Sequence, residues 1–263
     1  MNTGTLHIAL SSCPNDTFIF GAWVLGNIPE IPGYCSRFVW EDIQQLNEDA
    51  QKGDFDIIKV SAVQALRLTR TYTILHCGGA FGLEHGPKLV ARPGVKNPRR
   101  IAVPGMLTTA ACLLKAALGY SFEPVPLRFD QEIAALNEGT VDAALLIHET
   151  ALVYRDYGLD LLLDLGKWWQ GTSGNLPLPL GVIIIRKDRE EQLFALVADQ
   201  IGASLGYAHA HSRTVMPFIQ AMAQEMNSKT LEKHIRAYVN TFSLHAGDRG
   251  QAALAHLQGL MTD

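Results

Sequence analysis

The chain has 263 residues, of which 48% are hydrophobic and 18% are charged, and this composition excludes a disordered or fibrous protein. It carries 22 Lys and Arg against 26 Asp and Glu, a net charge of -4, so it lacks the excess positive charge that nucleic-acid binding requires. Since no apolar run approaches the roughly 20 residues of a membrane-spanning helix, we expect neither a nucleic-acid partner nor membrane insertion.

Short runs rich in β-branched residues alternate with longer amphipathic stretches over the first two thirds of the chain, which indicates an α/β protein with parallel sheets. Helices are predicted to begin near Asp16, Ile43, Ala62, Thr109, Glu132 and Glu149. The predicted strands are Leu6–Leu10, Cys35–Trp40, Ile57–Val60, Tyr72–Cys77, Leu89–Arg92, Arg100–Val103, Val125–Phe129, Ala143–Ile147, Leu161–Asp164 and Gly181–Arg186.

The C-terminal third is predicted to be helical. Leu193, Val197, Ile201 and Leu205 recur every four residues and predict one buried helical face. Asp188, with Glu191 three residues later, has the spacing of a capping box that opens this helix. Further helices are predicted over Val215–Met226, Thr230–Tyr238 and Asp248–Met261.

These elements predict two α/β lobes, with the helical tail packed on the first lobe. Charge coincides with a change of periodicity at Arg92–Asn97 and Arg186–Asp188, so we place the crossings between lobes there. Lobe 1 then comprises residues 1–93 and 187–263, and lobe 2 is an insertion of residues 94–186. Lobes joined in this way commonly hinge over a ligand held between them.

The cellular compartment is predicted from the N-terminal segment and the cysteines. The first 16 residues lack a basic region and a long apolar run, which favours a cytoplasmic protein. The four cysteines are widely spaced with no CxxC pair, which fits a reducing compartment. No dense group of histidines and cysteines indicates a metal site, so we expect no metal.

Polar residues follow four predicted strands at the point where each strand ends. Ser11 and Asn15 follow the first of these strands, Ser61 follows another, and Thr108 and Thr109 follow a third. Each residue on its own is explained as a helix N-cap. Because ligands bind in parallel sheets outside the carboxyl ends of the strands, the repetition indicates a cleft for a small anionic ligand, a carboxylate or a phosphate.

His148 follows the fourth of these strands and is the group there that can move a proton near neutral pH. The alternative is a histidine at the edge of the core that donates to a carbonyl. Cys13 has the position of a thiolate at a helix N-terminus, although a small buried cysteine is the simpler interpretation. Asp16 and Glu149 suit the first turns of their helices, where negative charge is favoured, so we interpret both as structural.

Trp168 and Trp169 precede the proline-rich segment Leu176–Gly181. The prolines predict an extended loop, and the indoles either line a pocket for a flat ligand or pack on that loop.

The chain resembles the 1,4-dihydroxy-6-naphthoate synthase family, enzymes of the futalosine route to menaquinone. The resemblance extends over nearly the whole chain, and CPNDTF and LPLPLG are its more specific motifs. It is carried by SSCPNDTFIF (Ser11–Phe20), LNEDAQKGDFDIIKVS (Leu46–Ser61), AVPGMLTTA (Ala102–Ala110), LLIHET (Leu145–Thr150), NLPLPLGVII (Asn175–Ile184) and YVNTFSLHAGDRG (Tyr238–Gly250).

This resemblance implies a fold like that of type II periplasmic binding proteins. It also implies a lyase that needs no cofactor and acts on cyclic dehypoxanthinyl futalosine, a small carboxylate-bearing substrate, with His148 as proton acceptor. The chain departs from the family pattern at Ser12 and at Met106-Leu107, which puts details of the pocket wall in doubt. The residues implied to contact the substrate are Lys59, Val60, Ser61, Thr108, Thr109 and Ala110, with Asn47 nearby.

Three alternatives remain open at this point. The chain could be a solute-binding protein of the same fold, or a chorismate dehydratase of the same pathway. It could also be a metal-free hydrolase that uses Cys13 and His148.

Overall fold

The molecule, described here by a computed structural model over residues 4–223 and 227–261, contains two mixed sheets with helices packed around them. The predicted α/β class is confirmed. The strands are β1 (Gly4–Ser11), β2 (Tyr34–Glu41), β3 (Ile57–Ser61), β4 (Tyr72–Ile74), β5 (Ala80–Gly82), β6 (Lys88–Ala91), β7 (Arg100–Val103), β8 (Glu123–Pro126), β9 (Ala143–Leu146), β10 (Asp160–Asp164) and β11 (Leu178–Arg186).

The helices surround both sheets and include a short 3-10 helix at Tyr154–Tyr157. They are α1 (Pro14–Val24), α2 (Ile43–Lys52), α3 (Ala62–Arg67), α4 (Thr109–Ala117), α5 (Glu132–Glu138), α6 (Thr150–Val153), α7 (Leu165–Ser173), α8 (Lys187–Ala210), α9 (Ser212–Met222), α10 (Ser228–Tyr238), α11 (Thr241–Leu244) and α12 (Gly247–Leu260). In the described part of the chain, no helix has both the length and the hydropathy to span a bilayer.

The first sheet has the order β2-β1-β3-β11-β4, with β5 also paired to β11. Within it β1 is parallel to both β2 and β3, whereas β11 runs antiparallel to β3, β4 and β5. The second sheet has the order β10-β6-β9-β7-β8, and in it β7 and β9 are parallel. All five residues of β3 are buried, and α2 and α3 pack against the strand.

The two sheets divide the chain at positions that differ from the predicted boundaries. β6 belongs to the second sheet, and β11 belongs to the first, where Gly181 pairs with Ser61. The chain therefore crosses between β5 and β6 and again between α7 and β11, rather than near residues 93 and 186. Charge and periodicity show where a strand ends, but the sheet that a strand joins depends on pairing with distant residues.

The C-terminal helices pack on the first sheet, as predicted. Leu193, Val197, Ile201 and Leu205 are fully buried on one face of α8, which packs against α1. The predicted capping box is wrong, because α8 begins at Lys187 and Asp188 instead accepts hydrogen bonds from the guanidinium group of Arg186. The helix predicted over Val215–Met226 corresponds to α9, and Met226 lies outside the described residues.

The segment predicted as an extended loop forms regular structure. Trp168 and Trp169 lie in α7, and most of the proline-rich segment lies in β11. Trp169 is fully buried, and its indole N–H donates to the carbonyl of Leu176 at 2.8 Å. The prediction of an extended loop is therefore wrong, and Trp169 belongs to the hydrophobic core rather than to a ligand pocket.

Candidate active site

A cleft of about 630 Å³, including its open mouth, lies between the two sheets. Both sheets contribute to its walls, through the ends of β1, β3 and β9 and the start of α4. Its lining residues include eight of the predicted site residues, namely Ser11, Asn15, Lys59, Ser61, Thr108, Thr109, Ala110 and His148.

Strand direction explains why these residues meet. β1 and β3 are parallel neighbours, so the residues at their carboxyl ends, Ser11 and Ser61, lie at the same edge of the first sheet. β7 and β9 are parallel neighbours in the second sheet, which places Thr108 and His148 at one edge as well. The two edges face each other across the cleft, as expected for ligand sites outside the carboxyl ends of strands.

His148 lies half-buried in this cleft, between β9 and α6. Its backbone has φ 56, in the left-handed region that few residues other than glycine adopt. The rings of Phe129 and His148 make a T-shaped contact, with centroids 4.8 Å apart. Burial, and then the nearby ammonium of Lys59, lower the pKa of His148 to about 4, so the imidazole is neutral at physiological pH.

Cys13 lies against His148, with its Sγ 3.2 Å from Nδ1 and 3.6 Å from Nε2 of the ring. It is the residue that precedes α1. Burial raises the pKa of the Cys13 thiol, and the carboxylates of Asp16 and Glu149 raise it further. The thiol is therefore protonated at neutral pH, whereas a nucleophilic cysteine needs its thiolate.

Lys59 and Asp16 form a buried ion pair beside the cleft, with Nζ and Oδ1 2.5 Å apart and side chains 3% and 1% exposed. Asp16 also accepts hydrogen bonds from the hydroxyl of Ser11 and the side-chain amide of Asn15. Asp16 was predicted only to suit the first turn of α1. The structure gives it a larger role, because it organises three of the lining residues. The absence of a side chain at Gly181 leaves room for the Lys59 side chain, since a Cβ at Gly181 would lie 2.8 Å from Lys59 Cε.

Asn47 and Val60 are fully buried and lie outside the cleft lining. Asn47 Oδ1 accepts the backbone N–H of Ser61 at 2.8 Å, and its Nδ2 donates to the Ser61 hydroxyl at 3.0 Å. Asn47 therefore holds Ser61 in place from behind. Val60 belongs to the hydrophobic core.

Thr108 and Thr109 build the start of α4. The Thr108 hydroxyl caps the helix by accepting the N–H of Ala111, and it donates to the carbonyl of Gly105. The Thr109 hydroxyl donates to the carbonyl of Leu180. Because an α-helix leaves its first N–H groups without intrahelical partners, the amides of Thr109 and Ala110 can serve an anionic ligand.

A family model described as menaquinone biosynthesis matches residues 6–263 of the chain. The chain belongs to the menaquinone biosynthesis family. Two members named 1,4-dihydroxy-6-naphthoate synthase are similar to it over almost their full length. The protein from Thermus thermophilus is 39% identical over 96% of this chain and 92% of its own. The protein from Streptomyces coelicolor is 36% identical over 100% of this chain and 93% of its own.

Solved structures agree with the predicted fold. A protein from Archaeoglobus fulgidus superposes with a TM-score of 0.90 at 32% identity, covering 97% of this chain and 96% of its own. The alkanesulfonate-binding protein SsuA from Xanthomonas axonopodis, bound to MOPS, has a TM-score of 0.68 at 14% identity, covering 90% and 85% of the two chains. The likeness to SsuA shows the fold alone, and it confirms the predicted resemblance to periplasmic binding proteins.

In this member of the menaquinone biosynthesis family, the helical tail also contributes to the cleft, which the sequence did not reveal. His234 and Tyr238 of α10 both line it, and both are almost fully buried. Their spacing of four residues puts them on one face of the helix. That spacing is the signal in the sequence, but the same spacing is equally typical of a face that packs on the core.

Among the described residues, no three His, Cys, Asp or Glu side chains lie close enough together to hold a metal ion. The titratable groups of the cleft instead form pairs. Lys59 pairs with Asp16, and His148 contacts Cys13. The arrangement offers a neutral base beside helix-terminal amides, which suits proton removal from a bound anion.

Proposed function

We propose that the chain is a carbon–carbon lyase of menaquinone biosynthesis that converts cyclic dehypoxanthinyl futalosine to 1,4-dihydroxy-6-naphthoate. Two relatives at 39% and 36% identity carry the name 1,4-dihydroxy-6-naphthoate synthase. The structural observation that carries the proposal is the neutral imidazole of His148 in the cleft between the sheets. The names of these relatives do not favour a chorismate dehydratase.

The substrate carboxylate binds at the start of α4 in this proposal. The N–H groups of Thr109 and Ala110 supply donors there, and the helix dipole favours negative charge at the same point. The Ser61 hydroxyl, held by Asn47, faces the cleft from the opposite sheet. The Lys59 ammonium is already neutralised by Asp16, so it tunes the electrostatic potential of the cleft rather than forming a free cationic site.

His148 acts as the proton acceptor. It takes the proton of the hydroxyl on the ring carbon at the scissile bond, and the O–H electrons form a ring carbonyl. The carbon–carbon bond breaks in a retro-aldol step, and its electron pair leaves with the sugar-derived fragment as the enolate of a carbonyl in that fragment, which is then protonated. The 1,4-diketone left in the ring tautomerises to the aromatic dihydroxy product. Oriented amides stabilise the oxyanion, and closure of the cleft excludes water.

We further propose a cytoplasmic location for this activity. All four cysteines are free thiols, which fits a reducing compartment.

Substitution of the base tests the proposal. His148→Asn should bind substrate with nearly parental affinity but lose about 10²- to 10⁴-fold in kcat, which is the contribution of a general base. His85→Asn, which replaces a histidine outside the cleft lining, is the control and should retain parental kcat. Product formation is followed by the absorbance of the naphthoate. Turnover by His148→Asn at the parental rate would remove the assigned role, and an inactive parental enzyme would refute the reaction.

A further inference from the structure

His234 is a buried imidazole in the wall of the cleft, and the proposed reaction assigns it no role. It is 1% exposed and comes from α10, in the helical tail. Its ring lies 6.4 Å from that of His148, with the two planes inclined by 31°. Two imidazoles therefore share one wall of the cleft.

A chain of hydrogen bonds fixes the tautomer of His234. The Lys59 ammonium holds the carboxylate of Asp16, and Asp16 accepts the side-chain amide of Asn15 at 2.8 Å. Asn15 is thereby oriented with its Nδ2 toward Asp16 and its Oδ1 toward His234. That oxygen lies 3.0 Å from His234 Nε2 and can only accept. The proton of the neutral ring therefore resides on Nε2.

The other ring nitrogen, Nδ1, consequently carries a lone pair. It has no hydrogen-bond partner among the described residues, although it is buried. Oε2 of the Glu149 carboxylate lies 3.6 Å away, beyond hydrogen-bonding distance. Burial, and then the proximity of His148, hold the pKa of His234 well below its usual range, so Nδ1 is an acceptor at neutral pH.

A buried acceptor without a partner is destabilising unless a bound group satisfies it. We propose that His234 Nδ1 accepts a hydrogen bond from a hydroxyl group of the substrate and so makes His234 a second substrate-contacting histidine. This inference rests on the proposed function, because the sugar-derived part of that substrate supplies hydroxyl donors. With one polyol hydroxyl held by His234, the neighbouring hydroxyl is presented to His148, 6.4 Å away between ring centroids.

Two conservative variants separate this role from a structural one. Asparagine places its side-chain amide near the position of Nδ1, whereas glutamine reaches the position of Nε2. His234→Asn therefore keeps an acceptor for the substrate and loses the contact to Asn15. His234→Gln keeps a donor to Asn15 and loses the acceptor at the position of Nδ1. A substrate contact predicts that the glutamine variant is the worse enzyme, whereas a role confined to bracing Asn15 predicts the opposite order.

The experiment measures kcat/KM of both variants on cyclic dehypoxanthinyl futalosine, together with their thermal unfolding. We expect His234→Gln to lose about 10- to 100-fold in kcat/KM and His234→Asn to lose less, by the energetics of one buried hydrogen bond. A kcat/KM of His234→Gln equal to or above that of His234→Asn would overturn the inference while leaving the proposed function intact. An inactive parental enzyme would overturn both.

A second measurement does not depend on the folding of these variants. In His148→Asn enzyme saturated with the same substrate, the ¹⁵N resonance of His234 Nδ1 is compared with that of the free enzyme. A hydrogen bond accepted by Nδ1 shifts this resonance upfield toward that of a protonated nitrogen, whereas Nε2 changes little. An unchanged Nδ1 resonance in the saturated complex would overturn the contact.

Discussion

Cys13 Sγ and His148 Nδ1 lie 3.2 Å apart, although the two residues follow strands of different sheets. A cysteine and a histidine at this distance resemble the nucleophile and base of a hydrolase. The protonation states of the Cys13 thiol and the His148 imidazole contradict that interpretation. Burial and two carboxylates raise the pKa of the thiol, while burial and Lys59 lower the pKa of the imidazole, so the thiolate–imidazolium pair is disfavoured from both sides.

Replacement of Cys13 tests this conclusion. Cys13→Ala should keep kcat/KM within about tenfold of the parental value, because removal of a true nucleophile costs about 10⁴-fold or more. Steady-state assays with the cyclic futalosine substrate provide the measurement. Cys35→Ala, at an exposed thiol, is the matched control. A loss by Cys13→Ala as large as that of His148→Asn would restore the hydrolase interpretation.

The ionisation of His148 gives a second prediction. The ring should be neutral above about pH 4 and become protonated only below it, because burial and the Lys59 ammonium both disfavour the cation. A base must be neutral to accept a proton, so its capacity should be constant between about pH 6 and 8 and be lost as the pH falls through about 4. NMR titration of the ring Cε1–H in the free enzyme measures this directly, with His148→Asn to assign the resonance. A midpoint at the ordinary value of 6.5 would contradict the described environment.

How much of this site follows from the sequence depends on how local each contact is. Ser11 and Ser61 end their strands, and Thr108 and His148 come shortly after the ends of theirs, so strand periodicity and the chemistry at the strand end suffice to place all four. His234 contacts Asn15 across 219 residues of sequence, and no local pattern distinguishes its helical face from an ordinary buried face.

The fold shows the same difference between features that local sequence determines and features that depend on distant residues. Most strand and helix positions follow from hydrophobic periodicity, which is a property of a short window. The sheet to which a strand belongs does not follow from this periodicity. β11 joins the first sheet through pairing of Gly181 with Ser61, which is far away in the sequence. The location of the Trp169 indole also depends on distant structure, since a tryptophan beside prolines is compatible with a place in a pocket wall or in the hydrophobic core.

The buried pair of Lys59 and Asp16 predicts a large asymmetry between single and double variants. Asp16→Asn leaves the ammonium of Lys59, 3% exposed, without its counterion, and we expect a loss of about 3–5 kcal/mol in the free energy of unfolding. Asp16→Asn combined with Lys59→Met removes both charges and should recover much of that loss. Urea denaturation of the parental, single and double variants measures the coupling. If the destabilisation of the double variant equalled the sum for Asp16→Asn alone and Lys59→Met alone, the charges would not interact.

Thr109 supplies the last prediction, because its hydroxyl connects α4 to β11 and α3. It donates to the carbonyl of Leu180 at 2.9 Å and accepts the N–H of Val63 at 3.2 Å, so α4 is tied to elements of the first sheet. Thr109→Val keeps the shape of the side chain but leaves both backbone groups unsatisfied. We expect a loss of about 1–3 kcal/mol for each group and a raised KM, because the first amides of α4 lose their position. Thr109→Ser retains the hydroxyl and should remain close to parental in both urea unfolding and KM. If valine matched serine in both measurements, the hydroxyl would have no part in joining the walls of the cleft.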